Sequence, residues 1–310
     1  MSKGQQAVYQ LGGTAVTFLL LWATGVLGPA GMVLTMLIPA PAAYVHMRLG
    51  ATGGAVVVLL TASALLATDG LPGVLLYLLQ FGLASFVLPL FLRRMIPWDR
   101  AIAWSTLATL VAAAVFLAGC AVRSGQSLGQ LVDRYVQVEL TKVLNLYQQA
   151  DLSPSQLDEL KTLAGRTADF LLLAYPGLMV VATAVLMLLV VLMLARFSRG
   201  NYLISGTSLS QWKAPDALIW LLILGGFGAF FAQGLVFQVA VNLLTVTLPI
   251  YFLQGIAVVA HFFQRRGVAP ALRVLGYLIM VIINPLPVII TGIGIFDLWV
   301  DFRKPKIKKS

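Results

Sequence analysis

The sequence predicts an all-α, polytopic helical membrane protein with about 8–10 membrane segments and a two-helix extracytoplasmic insertion. Three observations predict it. Of 310 residues, 60% are hydrophobic and only 10% charged, against about 45–50% and about 25% in an ordinary soluble domain. Residues 7–45, 171–195 and 217–260 carry no Asp, Glu, Lys or Arg, and a helix needs about 20 apolar residues to cross the hydrocarbon. The cations gather at alternate joins between the apolar runs, as the bias that orients membrane proteins requires. Such a chain cannot hide its apolar residues in one core and cover itself with charge. It takes lipid as its solvent.

The apolar segments are expected near 7–26, 30–47, 51–68, 73–92, 101–122, 168–195, 215–233, 236–263 and 271–300. The first two read as retained helices, because their uncharged run exceeds the about 7–15 residues of a signal-peptide core. Gly28-Pro29, Gly70-Leu71-Pro72-Gly73 and Gly225-Gly226-Phe227-Gly228 punctuate the joins, where glycine and proline favour turns. Gly50-x-x-x-Gly54 and Ala51-x-x-x-Ala55 would allow close helix contact. The resulting division is a membrane bundle of five segments over 1–122, a polar insertion over 123–167, a second bundle over 168–302 and a basic tail over 303–310.

In the insertion, Leu128, Leu131, Val132, Tyr135, Val138 and Leu146 form a stripe at helical spacing, interrupted by Glu139. A second helix opens at Ser153-Pro154-Ser155-Gln156. Ser153 can cap the free amides, Pro154 suits the first helical position and Gln156 closes the box. Leu157, Leu160 and Ala164 follow on one face, and the helix runs on into the span containing Pro176. The pair reads either as a periplasmic lid or partner-binding arm, or as an amphipathic hairpin on the membrane surface.

The last segment carries Asn284-Pro285-Leu286-Pro287 at its middle. Two prolines remove two backbone donors and break the helix. A hairpin that enters and returns would place Arg303, Lys304, Lys306, Lys308 and Lys309 in the cytoplasm. One kinked span followed by an interfacial helix, or a miscounted span elsewhere, are the alternatives.

The formal net charge of +10 reflects orientation, not nucleic-acid binding, since no basic run accompanies a soluble fold or an aromatic stacking platform. With the N-terminus in the cytoplasm, Lys3, Arg48, Arg93, Arg94, Arg100, Arg196, Arg199, Lys213, Arg265, Arg266 and Arg273 all fall on the cytoplasmic side. The far side receives Asp69 and the insertion, whose five basic residues balance five acidic ones. The expectation is a multi-pass protein of the bacterial cytoplasmic (inner) membrane, with both termini cytoplasmic and the lipid bilayer as its main partner.

Catalytic motifs are missing. There is no phosphate loop, no H-E-x-x-H and no G-x-S-x-G elbow. The lone Cys120 excludes an internal disulfide and a cysteine-rich metal site. Neither an enzyme nor a cofactor or metal is expected. Asp69 is expected on solvated surface. His46 and His261 sit at cytoplasmic ends of different segments, where interfacial hydrogen bonding is expected. The best intramembrane polar cluster is Gln238, Asn242 and Thr245, with Pro249 on nearly the same helix face. An amide in lipid turns inward. It then either ties two helices together or walls a substrate cavity, to which Asn284, Tyr77 and Gln80 would contribute.

Trp212-Lys213-Ala214-Pro215-Asp216, Asn242-Leu243-Leu244, Tyr251-Phe252-Leu253-Gln254-Gly255 and the run from Gly294 through Asp297 to Arg303 together resemble the YybS-like family of bacterial integral membrane proteins. Ser153-Pro154 before Tyr175-Pro176 looks like that family too. The resemblance implies the membrane fold and supplies no catalytic residues. The short, glycine- and proline-broken helices of the N-terminal half look distantly like substrate-capture subunits of energy-coupling-factor vitamin transporters. Those dock a partner through small-x-x-x-small motifs, typically in their first helix; here the motif starts the third segment. Two functions are therefore expected: a transport-related subunit that binds a small solute without an ATPase of its own, or a membrane scaffold that binds protein partners in envelope assembly or division.

The charge distribution makes a direct prediction. Reporter fusions at Gln148 and Ser310 should report opposite sides of the membrane, Gln148 outside and Ser310 inside; both on one side would contradict this arrangement.

Overall fold

A computed structural model describes residues 2–148, 154–198 and 200–304. Every expected apolar segment is helical, and no strand occurs among the described residues. The helices are α1 (Lys3–Leu27), α2 (Met32–Thr35), α3 (Pro39–Leu49), α4 (Ala51–Thr68), α5 (Gly70–Tyr77), α6 (Leu83–Arg93), α7 (Trp98–Ser124), α8 (Leu128–Gln148), α9 (Pro154–Phe197), α10 (Leu218–Phe231), α11 (Gly234–Arg265), α12 (Pro270–Ile282) and α13 (Leu286–Val300). In hydrocarbon only a helix or a closed barrel satisfies its own backbone, so the apolar runs have little other choice. α2 with α3, and α5 with α6 through a π-helical turn at Leu78–Gly82, each make one apolar stretch. Among the described residues seven such elements are long and apolar enough to cross a membrane, and the pair α12–α13 counts as an eighth only when taken as one span. That pair bends by 103° at its break, so it is not one straight crossing. α10, with 14 residues, is about 21 Å long, short of the about 30 Å hydrocarbon core.

Helix starts follow their local chemistry. Ser2 and Gln5 close a capping box on α1. Ser127 and Gln130 do the same for α8, with Gln130 N–H donating to Ser127 Oγ and Ser127 N–H to Gln130 Oε1. The box expected at Ser153 lies outside the described residues, as do Lys306, Lys308 and Lys309 of the tail. In α8, Tyr135 and Val138 are exposed at 68% and 47%.

The chain forms two compact units, and the boundary falls inside α9. The first comprises Met1–Gly125 and Ala182–Gly206; the second comprises Gln126–Val181 and Thr207–Ser310. The first unit centres on Ile38, Val45, Val57, Tyr77 and Leu88, all buried. Its Gly54 admits α3 closely, since a Cβ there would lie 2.5 Å from His46 Cβ. His46 corrects an expectation. It is fully buried against Phe86, and neither ring nitrogen has a hydrogen-bond partner. Arg93 closes the end of α3 from outside, donating from Nη1 to the Met47 carbonyl at 2.6 Å. Asp69 is exposed as expected and accepts from Thr68.

The second unit is built on α11, with α10 and α13 packed along it. α13 approaches backbone to backbone. A Cβ on Gly255 would overlap the Ile290 carbonyl, and one on Gly294 would overlap the Tyr251 carbonyl. Small residues permit such crossings, and in lipid this close packing replaces the hydrophobic effect as the force between helices.

Candidate functional site

The polar face of α11 is real, and its Asn242 amide is spent on a tie to α9. Asn242 Oδ1 accepts from the Gly177 N–H at 2.7 Å. Its Nδ2 donates to the Leu173 carbonyl at 2.9 Å and to the Gln238 carbonyl at 2.8 Å. Gly177 N–H and Leu173 C=O are the i, i−4 pair immediately after Pro176, which itself has no N–H to give. One amide thus serves both backbone groups of the turn that proline weakens. Gly177 lets α11 this close, because a Cβ there would lie 3.0 Å from Thr245 Cβ. Thr245 Oγ1 donates to its own helix at Val241, and Gln238 is half-buried. Both amide hydrogens of Asn242 are used.

The broken segment meets α11 elsewhere. α13 crosses it at Tyr251 and Gly255, nine residues on from Asn242, or about 14 Å along the helix. Asn284 is exposed. Tyr77 and Gln80 belong to the first unit. Tyr77 is buried beside Thr61, and neither hydroxyl closes a hydrogen bond of full geometry. Gln80 is exposed on the π-helical turn.

The second unit holds a polar cluster that the sequence reading did not single out. Asp297, fully buried in α13, accepts from Gln254 Nε2 at 3.1 Å, from Arg303 Nη2 at 2.5 Å and from the Phe302 N–H at 3.1 Å. Gln254 Oε1 accepts from the Ala214 N–H at 3.2 Å. Arg303 Nη1 donates to the Trp212 carbonyl at 2.8 Å. Beside it, a hydrogen bond from Lys213 holds the Asp301 carboxyl below its ordinary range. The segment before α10, the middle of α11, the end of α13 and the chain after it are clasped together. The available signal was a lone carboxylate inside an apolar run, which in lipid requires a named partner.

In the first unit, a groove of about 530 Å³ runs between α1, α3 and the end of α9. Val16, Leu20, Leu37 and Met193 line its apolar length, and Tyr9, Tyr44 and Arg48 close one end. Arg48 lies 4.4 Å above the centre of the Tyr9 ring and donates from Nη1 to Tyr44 Oη at 2.9 Å. Tyr202 packs edge-on to Tyr44 and donates to the Leu194 carbonyl at 2.8 Å. Burial pushes its phenol up to about 12, so it stays a neutral donor. Among the described residues, no group of three or more His, Cys, Asp or Glu side chains gathers as a metal would need.

A family model described as a predicted membrane protein (DUF2232) matches residues 15–298. No curated protein and no solved structure matches the chain.

The Asp297 cluster predicts a thermodynamic cycle. Asp297→Leu strands the Arg303 guanidinium, whose side chain is only 7% exposed, and should cost about 3–5 kcal/mol in thermal unfolding of the purified protein. Adding Arg303→Met should recover much of the loss. A double variant no more stable than the single would show that the pair is not coupled.

Proposed function

Taking as premise that the chain belongs to the DUF2232 family of predicted membrane proteins, we propose that it is a non-catalytic, multi-pass protein of the bacterial cytoplasmic membrane. In this reading it binds a small amphipathic molecule in the groove of its first unit. The groove itself carries the proposal. At about 530 Å³ it falls within the about 300–1,000 Å³ of small-molecule sites, and it pairs long apolar walls with one charged, aromatic end. The role is transport-related, in a chain without an ATPase motif. The positive ends of the segments support a cytoplasmic placement of Lys3, Arg48 and Arg303. Kinship with the YybS-like proteins is supported by the convergence of the motif residues around Asp297. The solute reading moves from Asn242 and Asn284 to the groove because the Asn242 amide is already occupied.

One observation favours a scaffold instead. Phe227, Phe230 and Phe231 stand exposed at 63%, 80% and 73% at the end of α10, an apolar patch that a membrane partner could cover.

Mass spectrometry of the gently purified chain separates the two. We expect a co-purifying amphiphile, lost on Val16→Trp, which fills the groove from a half-exposed position of α1 with little effect on thermal stability. Retention of a protein partner and of no small molecule would favour the scaffold and sink the groove.

A further inference from the structure

Resting on that reading of the groove, we propose that its ligand is an anionic lipid, with its phosphate held by Arg48 and a hydrocarbon chain lying along α1 and α3. The charge argument comes first. Among the described residues no carboxylate pairs with Arg48; the side chains that act on it are Tyr44, Tyr9 and Tyr202. A guanidinium carries five N–H donors, and Tyr44 Oη takes one of them. The Tyr9 ring lies under the guanidinium carbon at 4.4 Å, and the donors that Tyr44 does not use include two that can act in parallel. That fork matches two phosphate oxygens. Tyr9 and Tyr44 hold the fork in place, so little side-chain freedom is lost on binding.

The shape argument is independent. On α1 the groove lining runs from Tyr9 to Leu20, about 16 Å, and on α3 from Ala40 to Arg48, about 12 Å, with Leu37 extending it in the turn before α3. The length along α1 is close to half of the about 30 Å hydrocarbon core, the depth one leaflet's chains occupy. The cation lies at the last turn of α3, among aromatic rings of the kind that sit at headgroup level. By the charge distribution this is the cytoplasmic end, where anionic lipids concentrate. A small soluble anion would use the arginine and leave the apolar walls idle. A zwitterionic lipid would use the walls but bring its own cation up to Arg48 together with the phosphate.

The test uses the full chain purified in neutral detergent and equilibrated with equal phosphatidylglycerol and phosphatidylcholine. Lipid retained after gel filtration is then quantified. The wild type should retain phosphatidylglycerol in preference by on the order of tenfold. Arg48→Gln should bring the two lipids to near parity, and Arg48→Lys should keep part of the preference and the fold. Excess glycerol phosphate should not displace the lipid. An unchanged preference in Arg48→Gln, or equal retention of both lipids by the wild type, would overturn the anionic assignment and leave the groove standing. Displacement by glycerol phosphate would overturn the lipid as its source. Retention of neither lipid would overturn the groove reading itself.

Discussion

Hydrocarbon offers no hydrogen-bond partner, so a polar group placed in it must find one within the protein. That constraint organises the second unit. Asn242 reaches across to the turn after Pro176 and takes both of its backbone groups. Gln254 bridges the Ala214 amide and Asp297. Arg303 folds back from beyond α13 to neutralise a carboxylate that would otherwise sit alone in an apolar helix. Each polar side chain joins two segments that lipid alone would not hold together. The glycines at positions 255 and 294 bring α11 and α13 close enough for those bonds to form. Polarity and small size act together: the crossing sets the distance, and the amide and ion pair fix the register.

The first unit uses polarity differently. Its buried polar groups, such as His46 and Thr61, sit inside the helix packing without partners. Its most conspicuous charge, Arg48, stays at a groove mouth with aromatic company and, among the described residues, no acid. A cation with donors to spare beside an apolar channel is poised to bind, whereas a cation closed by three carbonyl and carboxylate contacts, as Arg303 is, is poised to hold. The same residue type thus plays opposite parts in the two units, and the difference lies in whether a carboxylate has been supplied.

Much of this was legible in the sequence. The nine apolar segments stand where the uncharged runs put them, because in lipid a run of that length has no alternative to a helix. Pro285 and Pro287 announced the break before α13, though not its bend past a right angle. Gln238, Asn242 and Thr245 were visible as a polar face, and the choice between tie and cavity was open because it turns on what lies opposite. Pro176, the residue that makes the tie useful, sits 66 positions earlier in the chain. Asp297 was readable as a charge inside an apolar run, and Arg303 stands six positions on, but Gln254 comes from another helix and no local pattern joins it to them. The groove was invisible for the same reason. Tyr9, Tyr44 and Met193 have no periodic relation, and only the packing of α1, α3 and α9 brings them together.

The central claim is that the polar groups of the second unit hold helices together while the ligand belongs to the first. Asn242→Leu tests it most directly, read by thermal unfolding and by the amphiphile retained on purification. The account predicts a loss of about 1 kcal/mol of stability, as expected for interhelical bonds in a membrane, with retention unchanged. Lost retention with an unchanged unfolding midpoint would contradict it and return the site to α11.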